Sequence, residues 1–454
     1  MKLPLTTTAL LFLPLASQAF QFPFLNTLKT HLPTLLFLNS KTPSTTPETT
    51  PPPVADHTRL FALHKSLIDF PSVTGTEGPV AQWLATYLQN LNFTVELQTV
   101  PGGDGTRRNL LAYLSPTRYT PTLLTSHMDV VPPHIPYRDT DTAVYGRGSC
   151  DAKGSIAAQI TALLELLEAK LVMPEDVSLL FVVGEETTGD GMLKANEINP
   201  GWGTVIFGEP TEGKLAVGHK GIVEFDIVSI GRAAHSGYPS LGVDANSNLI
   251  RVLAALDGLA LPGSQLLGNS TLNIGVIEGG VAANVVPAHA KATCSIRVAG
   301  DLQKVVDLID ETVRNTGGDT VKIEWYSTPH YGPVTVDHDV EGFETVVCSY
   351  GTDVPNLKGD HKRYLYGPGS ILVAHGADEN VRKDELTEAV GGYKRLVLES
   401  LKEGRRPVAP AQPEIVAEEG NVGEEEVQTE KVQAEELPVV DYDGDILGEM
   451  LGEL

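Results

Sequence analysis

The chain has 454 residues, which is too many for one ordinary core, so two domains with extensions are expected. Hydrophobic residues make up 41% of the chain and charged residues 20%, as in ordinary globular proteins. The formal net charge of −25 argues against a basic face that binds nucleic acid.

The first 19 residues are typical of a secretory signal peptide. Lys2 supplies a positive start, the apolar run ALLFLPLA is too short to span a bilayer, and SQA provides small residues before a cleavage point after Ala19. An amphipathic or buried helix is the alternative. We therefore expect a secreted, extracellular protein, in which the sequons at Asn92 and Asn269 would be glycosylation sites. No later apolar run is long enough for a membrane span.

Two further segments differ in composition from a folded domain. Residues 20–56 are rich in Pro and Thr and predict a spacer or pro-segment, and residues 403–454 are acidic and predict a disordered tail. Three cysteines, Cys150, Cys294 and Cys348, are too few for a disulfide framework, although one bridge is possible.

Strands and helices alternate over residues 57–213. Apolar spacing predicts helices at Glu77–Leu91 and Ser155–Ala169. Short apolar or alternating runs predict strands at NFTVELQTV, NLLAYLS, TPTLLTS, VSLLFVVG and GTVIFG. This alternation indicates an α/β domain with a mostly parallel, buried central sheet.

A second domain is predicted at residues 214–329. The pattern there is a strand pair in KLAVGHKGIVEFDIVSIG, a helix at about Asp244–Leu259, strands at STLNIGVIEG and HAKATCSIRV, a helix at about Leu302–Asn315, and a strand at TVKIEWYS. This β-α-β-β-α-β order is that of a ferredoxin-like α+β sandwich inserted into the first domain.

The α/β pattern returns over residues 330–402. A helix is predicted at about Val340–Tyr350, followed by an apolar, strand-like run in GSILVAH.

Metal-competent side chains follow four of the buried runs. TLLTS, LLFVVG, TVIFG and SILVA are followed by His127, Glu185–Glu186, Glu209 and His375, respectively. Because ligands bind at the carboxyl ends of strands in open α/β sheets, these side chains should converge. Asp151, in the Gly-rich loop YGRGSCDAKGS before a predicted helix, adds another carboxylate.

Two histidines with several carboxylates suit Zn²⁺, with Mn²⁺ or Co²⁺ as substitutes. The sequence signatures of other enzyme classes, HExxH, GxSxG and GxxxxGK[ST], are absent from the chain. Three acidic ligands, Asp151, Glu186 and Glu209, together with one hydroxide would balance two divalent cations, about 3.5–4 Å apart if Asp151 bridges them.

Two neighbouring acids are predicted to support catalysis without binding metal. Asp129 lies two residues after His127, a spacing that suits a hydrogen bond fixing the imidazole tautomer. Consecutive residues leaving a strand point to different sides, so Glu186 is assigned to metal and Glu185 to general acid/base catalysis.

From about Leu60 to Leu401 the chain resembles the co-catalytic dinuclear zinc hydrolases that include acetylornithine deacetylase, succinyl-diaminopimelate desuccinylase, aminoacylase and glutamate carboxypeptidase. The stretches that carry this resemblance are SHMDVVP, YGRGSCDAKGS, GEETTGDG, FGEPT, GRAAHSGYPSLGVDAN, GGVAANVVP and GPGSILVAHGADENV. It implies a zinc-peptidase catalytic domain with an inserted dimerisation domain, and a homodimer formed through the latter.

The resemblance also implies the division of ligands between two zinc ions per subunit. One ion would be held by His127, Glu209 and one oxygen of Asp151, and the other by Glu186, His375 and the second oxygen of Asp151. The peptide bond between Asp151 and Ala152 is expected to be cis.

Further residues receive roles from the same resemblance. His235, in AAHSG, would reach the active site across the dimer and stabilise the oxyanion. Asn284 and Arg297 would contact substrate, and Arg297 could grip a carboxylate with both nitrogens. Gly369 would let substrate approach the backbone.

These observations predict a secreted dinuclear zinc hydrolase that cleaves amide bonds, with a peptide-cleaving carboxypeptidase as the preferred assignment. An N-acyl-amino-acid deacylase, such as an aminoacylase or an enzyme like acetylornithine deacetylase, is the alternative. A catalytically inert peptide-binding protein on the same scaffold is the non-enzymatic alternative.

Overall fold

The computed structural model describes residues 58–199 and 201–402. The predicted signal peptide, Pro/Thr-rich spacer and acidic tail lie outside the described residues. Among the described residues, no helix is both long and apolar enough to cross a membrane.

The helices are α1 (Thr58–Asp69), α2 (Gly78–Asn90), α3 (Lys153–Glu168), α4 (Asp190–Ala195), α5 (Ala245–Asp257), α6 (Leu302–Gly317) and α7 (Lys383–Lys402). The strands are β1 (Thr94–Thr99), β2 (Arg108–Tyr113), β3 (Thr122–His127), β4 (Arg138–Asp139), β5 (Ala143–Tyr145), β6 (Val177–Val182), β7 (Thr204–Gly208), β8 (Leu215–His219), β9 (Gly221–Ile230), β10 (Thr271–Gly279), β11 (His289–Val298), β12 (Val321–Tyr331), β13 (Val334–Thr335), β14 (Thr345–Cys348), β15 (Lys362–Tyr366) and β16 (Asn380–Arg382).

The catalytic part is built on a six-stranded sheet in the order β1-β2-β6-β3-β7-β15. Strands β6, β3, β7 and β15 are parallel, whereas β1 and β2 add an antiparallel edge. Residues of β3, β6 and β7 are buried throughout, because helices and loops cover both faces. The predicted α/β fold with a mostly parallel centre is therefore confirmed.

Alternate residues of these strands enter two different cores, as the two-residue period of a strand requires. Leu124 and Leu179 pack with apolar residues of α1, α2, α3 and α7 on one face of the sheet. Leu123 and Leu180 pack on the other face with residues such as Trp202.

The inserted domain has the predicted ferredoxin-like topology. Its chain order is β9-α5-β10-β11-α6-β12, its sheet order is β10-β11-β9-β12, and every pairing is antiparallel. Strand β11 alternates buried and half-buried residues, and its buried side chains pack against α5 and α6. Asp244 and Asp301 cap these two helices through hydrogen bonds to the backbone N–H of Ser247 and Lys304.

The predicted strand pair in KLAVGHKGIVEFDIVSIG is wrong. Strand β8 pairs with β13 and β14 in a separate three-stranded sheet, and β9 pairs with β11 and β12. Only Lys220 separates β8 from β9, and one residue is too short a connection for a hairpin, which needs at least about two.

Two predictions in the last part of the catalytic domain are also wrong. The predicted helix at Val340–Tyr350 is instead a loop followed by β14, in which the β-branched residues of TVVC favour an extended strand. The run SILVA is not a strand: Ser370 forms an isolated bridge with Thr211, residues 371–375 are a turn, and Leu372 is 86% exposed. The strand that extends the sheet here is β15, which lies parallel to β7.

Candidate metal centre

Three segments of the candidate site follow the carboxyl ends of neighbouring strands, on the same side of the sheet. His127 is the last residue of β3, Glu209 directly follows β7, and Glu185 and Glu186 come shortly after β6. Strands β6, β3 and β7 are parallel neighbours, so their carboxyl ends bring these side chains together.

Asp151 lies between two groups of side chains. One carboxylate oxygen, Oδ1, is 3.1 Å from His127 Nε2, and the other, Oδ2, is 3.3 Å from His375 Nε2. Glu209 Oε1 lies 3.9 Å from His127 Nε2, and Glu186 Oε2 lies 2.9 Å from His375 Nε2. Each group of three offers ligand atoms within 4.8 Å of one another.

Asp151 precedes α3 in a tight loop, and its peptide bond to Ala152 is cis, as the resemblance implied. His375 reaches the cluster from the turn at residues 371–375 rather than from the end of a strand, and its backbone φ is +63°. Its side chain is about half exposed, whereas that of Asp151 is buried.

Asp129 connects the strand ends through its buried carboxylate. It accepts hydrogen bonds from the backbone N–H of Glu185 at 3.2 Å and of Glu186 at 3.1 Å, and from the hydroxyl of Thr74 at 2.8 Å. His127 Nδ1 lies 3.0 Å from the carbonyl oxygen of Asp129 and 3.5 Å from its carboxylate. The carbonyl is therefore the closer partner that orients the imidazole, which leaves Nε2 facing the cluster.

The carboxylates of the cluster are difficult to ionise together. Burial, together with neighbouring acids, raises the pKa of Glu186 to about 7 and raises that of Glu185 and Glu209 well above the usual value. Hydrogen bonds with Asp151 and Glu186 raise the pKa of His375 to about 10. Positive charge placed between Glu185, Glu186 and Glu209 would make it easier to ionise these carboxylates.

The donor set fits metal ions. Imidazole nitrogens and carboxylate oxygens are suitable ligands for Zn²⁺ and similar divalent cations. Within the described residues, Glu186 Oε1 is a buried oxygen without a hydrogen-bond partner, and a buried acceptor of this kind is costly unless something binds it.

A cleft of about 400 Å³ opens beside the cluster. Its walls come from both domains: Glu185 and Glu186 lie on the catalytic side, and Arg297 from β11 and Tyr331 from β12 lie on the other. Asp353, buried in the loop after β14, also lines it. Arg297 thus occupies the same cleft as the acidic cluster.

His235 and Asn284, both predicted to act at the site, are not among the residues that line this cleft in the same chain. His235 is exposed, and its Nδ1 accepts a hydrogen bond from the backbone N–H of Gly237 at 3.0 Å. Asn284 is exposed in the loop between β10 and β11.

Gly369 is buried with φ +81°, and a Cβ at this position would lie 2.5 Å from the Cβ of Cys150. Close packing against Cys150 thus explains this glycine. Cys150, Cys294 and Cys348 are all buried free thiols. The sequon residues Asn92 and Asn269 are both exposed.

Sequence reasoning missed several residues around the cluster. Asp353 is buried, which raises its pKa to about 7, but it follows no recognisable strand and so gave no signal. Glu379 lies within GPGSILVAHGADENV, a stretch that carried the resemblance, but its partners are distant in sequence. The buried Arg107 is likewise paired with residues far along the chain.

An α/β domain with an acidic and imidazole cluster at its strand ends, joined to a ferredoxin-like domain, is typical of a class of hydrolases. Residues 217–321 match the family described as Peptidase dimerisation domain. A Peptidase M20 domain-containing protein of Schizosaccharomyces pombe is 48% identical over 345 residues, covering 76% of this chain and 85% of that protein. A probable carboxypeptidase of Aspergillus niger is 44% identical over 386 residues, covering 78% and 92%.

Solved structures share the fold. A tripeptidase from Staphylococcus aureus superposes with a TM-score of 0.62 at 21% identity, covering 77% of this chain and 98% of its own. An M20 family metallo-carboxypeptidase from Sulfolobus solfataricus superposes with a TM-score of 0.59 at 17% identity, covering 75% and 99%. The chain belongs to the M20 peptidase family, and it is a hydrolase of the peptidase class.

Proposed function

We propose that this protein is a secreted, dinuclear zinc carboxypeptidase that acts on peptides. The observation that carries the proposal is the position of Asp151, whose two oxygens face two separate groups of histidine and glutamate ligands. A carboxylate placed in this way can bridge two cations.

The ligands divide into the two groups described above. His127 and Glu209 would hold one ion, Glu186 and His375 the other, and Asp151 would contribute an oxygen to each. Cations bound there would supply Lewis-acid polarisation of a carbonyl group and a lowered pKa for water.

Glu185 is proposed as the general acid/base. It lies in the cleft next to the ligand Glu186, and its backbone N–H is held by Asp129, so the carboxylate is positioned beside the cluster without being in either ligand group. Its role is to take a proton from the attacking water and to give it to the leaving amine.

Arg297 favours a substrate with a free carboxylate. It is half-buried, and its guanidinium group is the one supplied by the described residues that line the cleft. A guanidinium can bind a carboxylate through two parallel hydrogen bonds, which suits the C-terminus of a peptide. Relatives named probable carboxypeptidases support the same choice.

The decisive variant is Glu185→Gln. It removes the proton acceptor while preserving side-chain size, so turnover should fall by about 10²–10⁴-fold, the usual contribution of a general base. Bound zinc, measured by atomic emission, should remain at the wild-type level of two ions per subunit if the ligand assignment holds.

Glu175→Gln is the matched control, because Glu175 is an exposed acid in the loop before β6. Its turnover and metal content should equal those of the wild type. Normal hydrolysis by Glu185→Gln would contradict the role of Glu185, and a wild-type protein that retains no zinc would contradict the metal centre.

Substrate panels separate the remaining alternatives. We expect faster cleavage of dipeptides than of N-acetyl-amino acids. Both substrates carry the free carboxylate that Arg297 can bind, so the choice of a peptide rests on the cleft of about 400 Å³ and on the relatives named probable carboxypeptidases. The opposite preference would indicate an N-acyl-amino-acid deacylase. Binding of peptides without turnover of either panel would indicate an inert binding protein.

Secretion and dimerisation complete the proposal. Secretion rests on the N-terminal sequence, and cleavage after Ala19 can be checked by N-terminal sequencing of protein from the culture medium. Mass spectrometry of the same sample would show whether Asn92 and Asn269, both exposed, carry glycans. Homodimer formation rests on the match of residues 217–321 to a peptidase dimerisation domain.

A further inference from the structure

A buried ion pair lies behind the metal centre. The side chain of Arg147 is 2% exposed and that of Glu379 is not exposed at all, and Arg147 Nη1 donates a hydrogen bond to Glu379 Oε2. Removing two charges from water costs free energy that their attraction only partly returns, so such a pair is weak evidence for a role in stability. Its contacts point to another role.

Glu379 holds the loop that carries Asp151. Its Oε1 accepts hydrogen bonds from the backbone N–H of Gly148 at 2.9 Å, of Cys150 at 3.4 Å and of Asp151 at 3.4 Å. Its own backbone carbonyl accepts from the N–H of Gly146 at 3.1 Å. A carboxylate surrounded by successive backbone N–H groups fixes the shape of the loop that surrounds it.

Arg147 holds the segment that carries His375. Its Nη2 donates to the backbone carbonyl of His375 at 3.2 Å, while Nη1 is bound by Glu379. Arg147 itself lies in the loop that leads to Asp151. One guanidinium therefore joins the two backbone segments from which Asp151 and His375 extend.

This connection matters because of where His375 lies. The turn at residues 371–375 is outside the sheet, and the His375 side chain is 53% exposed. His127 and Glu209, in contrast, extend from the ends of β3 and β7, where ladder hydrogen bonds fix the backbone. The ligand group of Asp151, Glu186 and His375 thus depends on contacts outside the sheet.

We propose that Arg147 and Glu379 are positioning residues that set the spacing between Asp151 and His375 and so determine the affinity of the ion held by Asp151, Glu186 and His375. This inference rests on the proposed dinuclear metal centre. Neither residue touches a metal ligand's side chain in the contacts described; both act through the backbone of the ligand-bearing segments.

The test is a metal titration of Glu379→Gln. The amide can still accept from the loop N–H groups, but it loses the charge that binds Arg147 and turns a donor towards the guanidinium. Apoprotein is titrated with Co²⁺, and the absorption of each bound ion is followed together with competition against a chromophoric chelator. His127→Ala and His375→Ala variants assign each dissociation constant to its ligand group.

We expect the dissociation constant of Co²⁺ at the group of Asp151, Glu186 and His375 to rise by about 10–100-fold. This is the usual cost of losing a partner that orients metal ligands. The constant of the His127 group should change less than about threefold, a limit set by the ordinary context dependence of such contacts. The spectrum of the ion in the His375 group should also change, because its ligand geometry shifts.

Asp378→Asn is the matched control. It removes one carboxylate from the neighbouring, exposed position, and both dissociation constants should equal those of the wild type. If Glu379→Gln does not fold, as judged by circular dichroism of the apoprotein, Arg147→Lys takes its place. Lysine keeps the positive charge but lacks the fork that reaches Glu379 and the His375 carbonyl at once.

The outcomes are distinct. The inference would be overturned by a folded variant whose two Co²⁺ dissociation constants both stay within threefold of the wild type. It would also be overturned if both constants rose by the same factor. Either result would leave the dinuclear centre in place. A wild-type protein that binds fewer than two ions would contradict the proposed metal centre itself, before any variant is compared.

Discussion

Buried histidines should make the stability of this protein depend on pH, since burial lowers the pKa of His64, His219 and His361 to about 4. His64 in α1 is 0% exposed, and its Nε2 donates a hydrogen bond to the carbonyl of Ser149 at 2.9 Å. Burial, and to a smaller degree the charge of the nearby Lys153, lower its pKa from 6.5 to about 4, although the hydrogen bond to Ser149 opposes this shift. The folded protein therefore keeps this imidazole neutral at pH values where the unfolded chain protonates it.

The direction of the effect follows from this difference. Between pH 6.5 and about pH 4, the unfolded state binds a proton that the folded state does not, so stability falls as the pH falls through this window. The stabilisation is complete above pH 6.5, and the loss approaches roughly 3 kcal/mol at the acidic end.

His64→Gln tests this dependence. Glutamine can donate to the Ser149 carbonyl but does not titrate, so its free energy of unfolding should depend less on pH between 7 and 4 than that of the wild type. Urea unfolding in EDTA, where metal loss does not contribute, measures both proteins. If the free energy of unfolding depends on pH equally in both proteins, His64 is not the source of the pH dependence.

The residues of the cluster were predictable as a set rather than singly, because His127, Glu209 and the Glu185–Glu186 pair each follow a strand of the parallel sheet, whereas the run before His375 is a turn. His127 and Glu209 stand at the ends of β3 and β7, and a short apolar run followed by a polar residue marks such positions in sequence. Asp353 and Glu379 have no such pattern. Their burial results from packing between distant segments, which local sequence does not encode.

At the scale of elements, the loop between β6 and α4 carries Glu185 and Glu186 and is held by ion pairs around the buried Arg107. Arg107, in the segment before β2, binds Asp190 at the start of α4 with two nitrogens, at 2.6 and 2.8 Å. Its Nε donates to Glu77 at 3.2 Å. One guanidinium therefore fixes the far end of the loop relative to α2.

Asp190→Asn should disturb this loop without touching either metal ligand group. We expect kcat to fall about tenfold, the lower end of the usual cost of losing a partner that orients site residues, with a smaller change in KM. Steady-state kinetics on a dipeptide substrate measures both. Glu197→Gln, which removes an exposed acid shortly after α4, is the control and should match the wild type. A change in KM alone would argue that the loop contacts substrate rather than positioning Glu185.

The elements themselves were predictable to different degrees. Helices such as α5 and α6 begin at capping aspartates and carry a clear apolar stripe, so their sequence determines them locally. The segment that forms β14 also has helix-compatible spacing, and its extended form depends on parallel pairing with β8, which is over 120 residues earlier in the chain. A pairing over such a distance leaves no local signal.

At the scale of the whole molecule, the inserted domain presents a surface suited to a second copy of the chain. Strand β10 lies at the edge of its sheet, and Val276 and Ile277 are 49% and 61% exposed. Val281, in the following loop, is 87% exposed. An open strand edge with exposed apolar side chains is a typical pairing surface.

Ile277→Lys should therefore weaken dimerisation, because it places a charge on this edge. Analytical ultracentrifugation should show a dimer for the wild type and a monomer for the variant at the same concentration. Thermal unfolding of the variant should remain cooperative, since the Ile277 side chain contributes little to the core. A variant that remains fully dimeric would place the interface elsewhere.

The role predicted for His235 can be separated from mere dimer formation by mixing two inactive variants. Glu185→Gln lacks the proposed general base and His235→Ala lacks the exposed imidazole, so each homodimer should have little activity. If His235 acts across the dimer, a mixed dimer contains one site with Glu185 and the partner subunit's His235 both intact. Random exchange makes half of the dimers mixed, each with one of two sites restored, so about a quarter of wild-type activity should return. If mass spectrometry verifies that the subunits have exchanged but no activity returns, His235 does not act across the dimer.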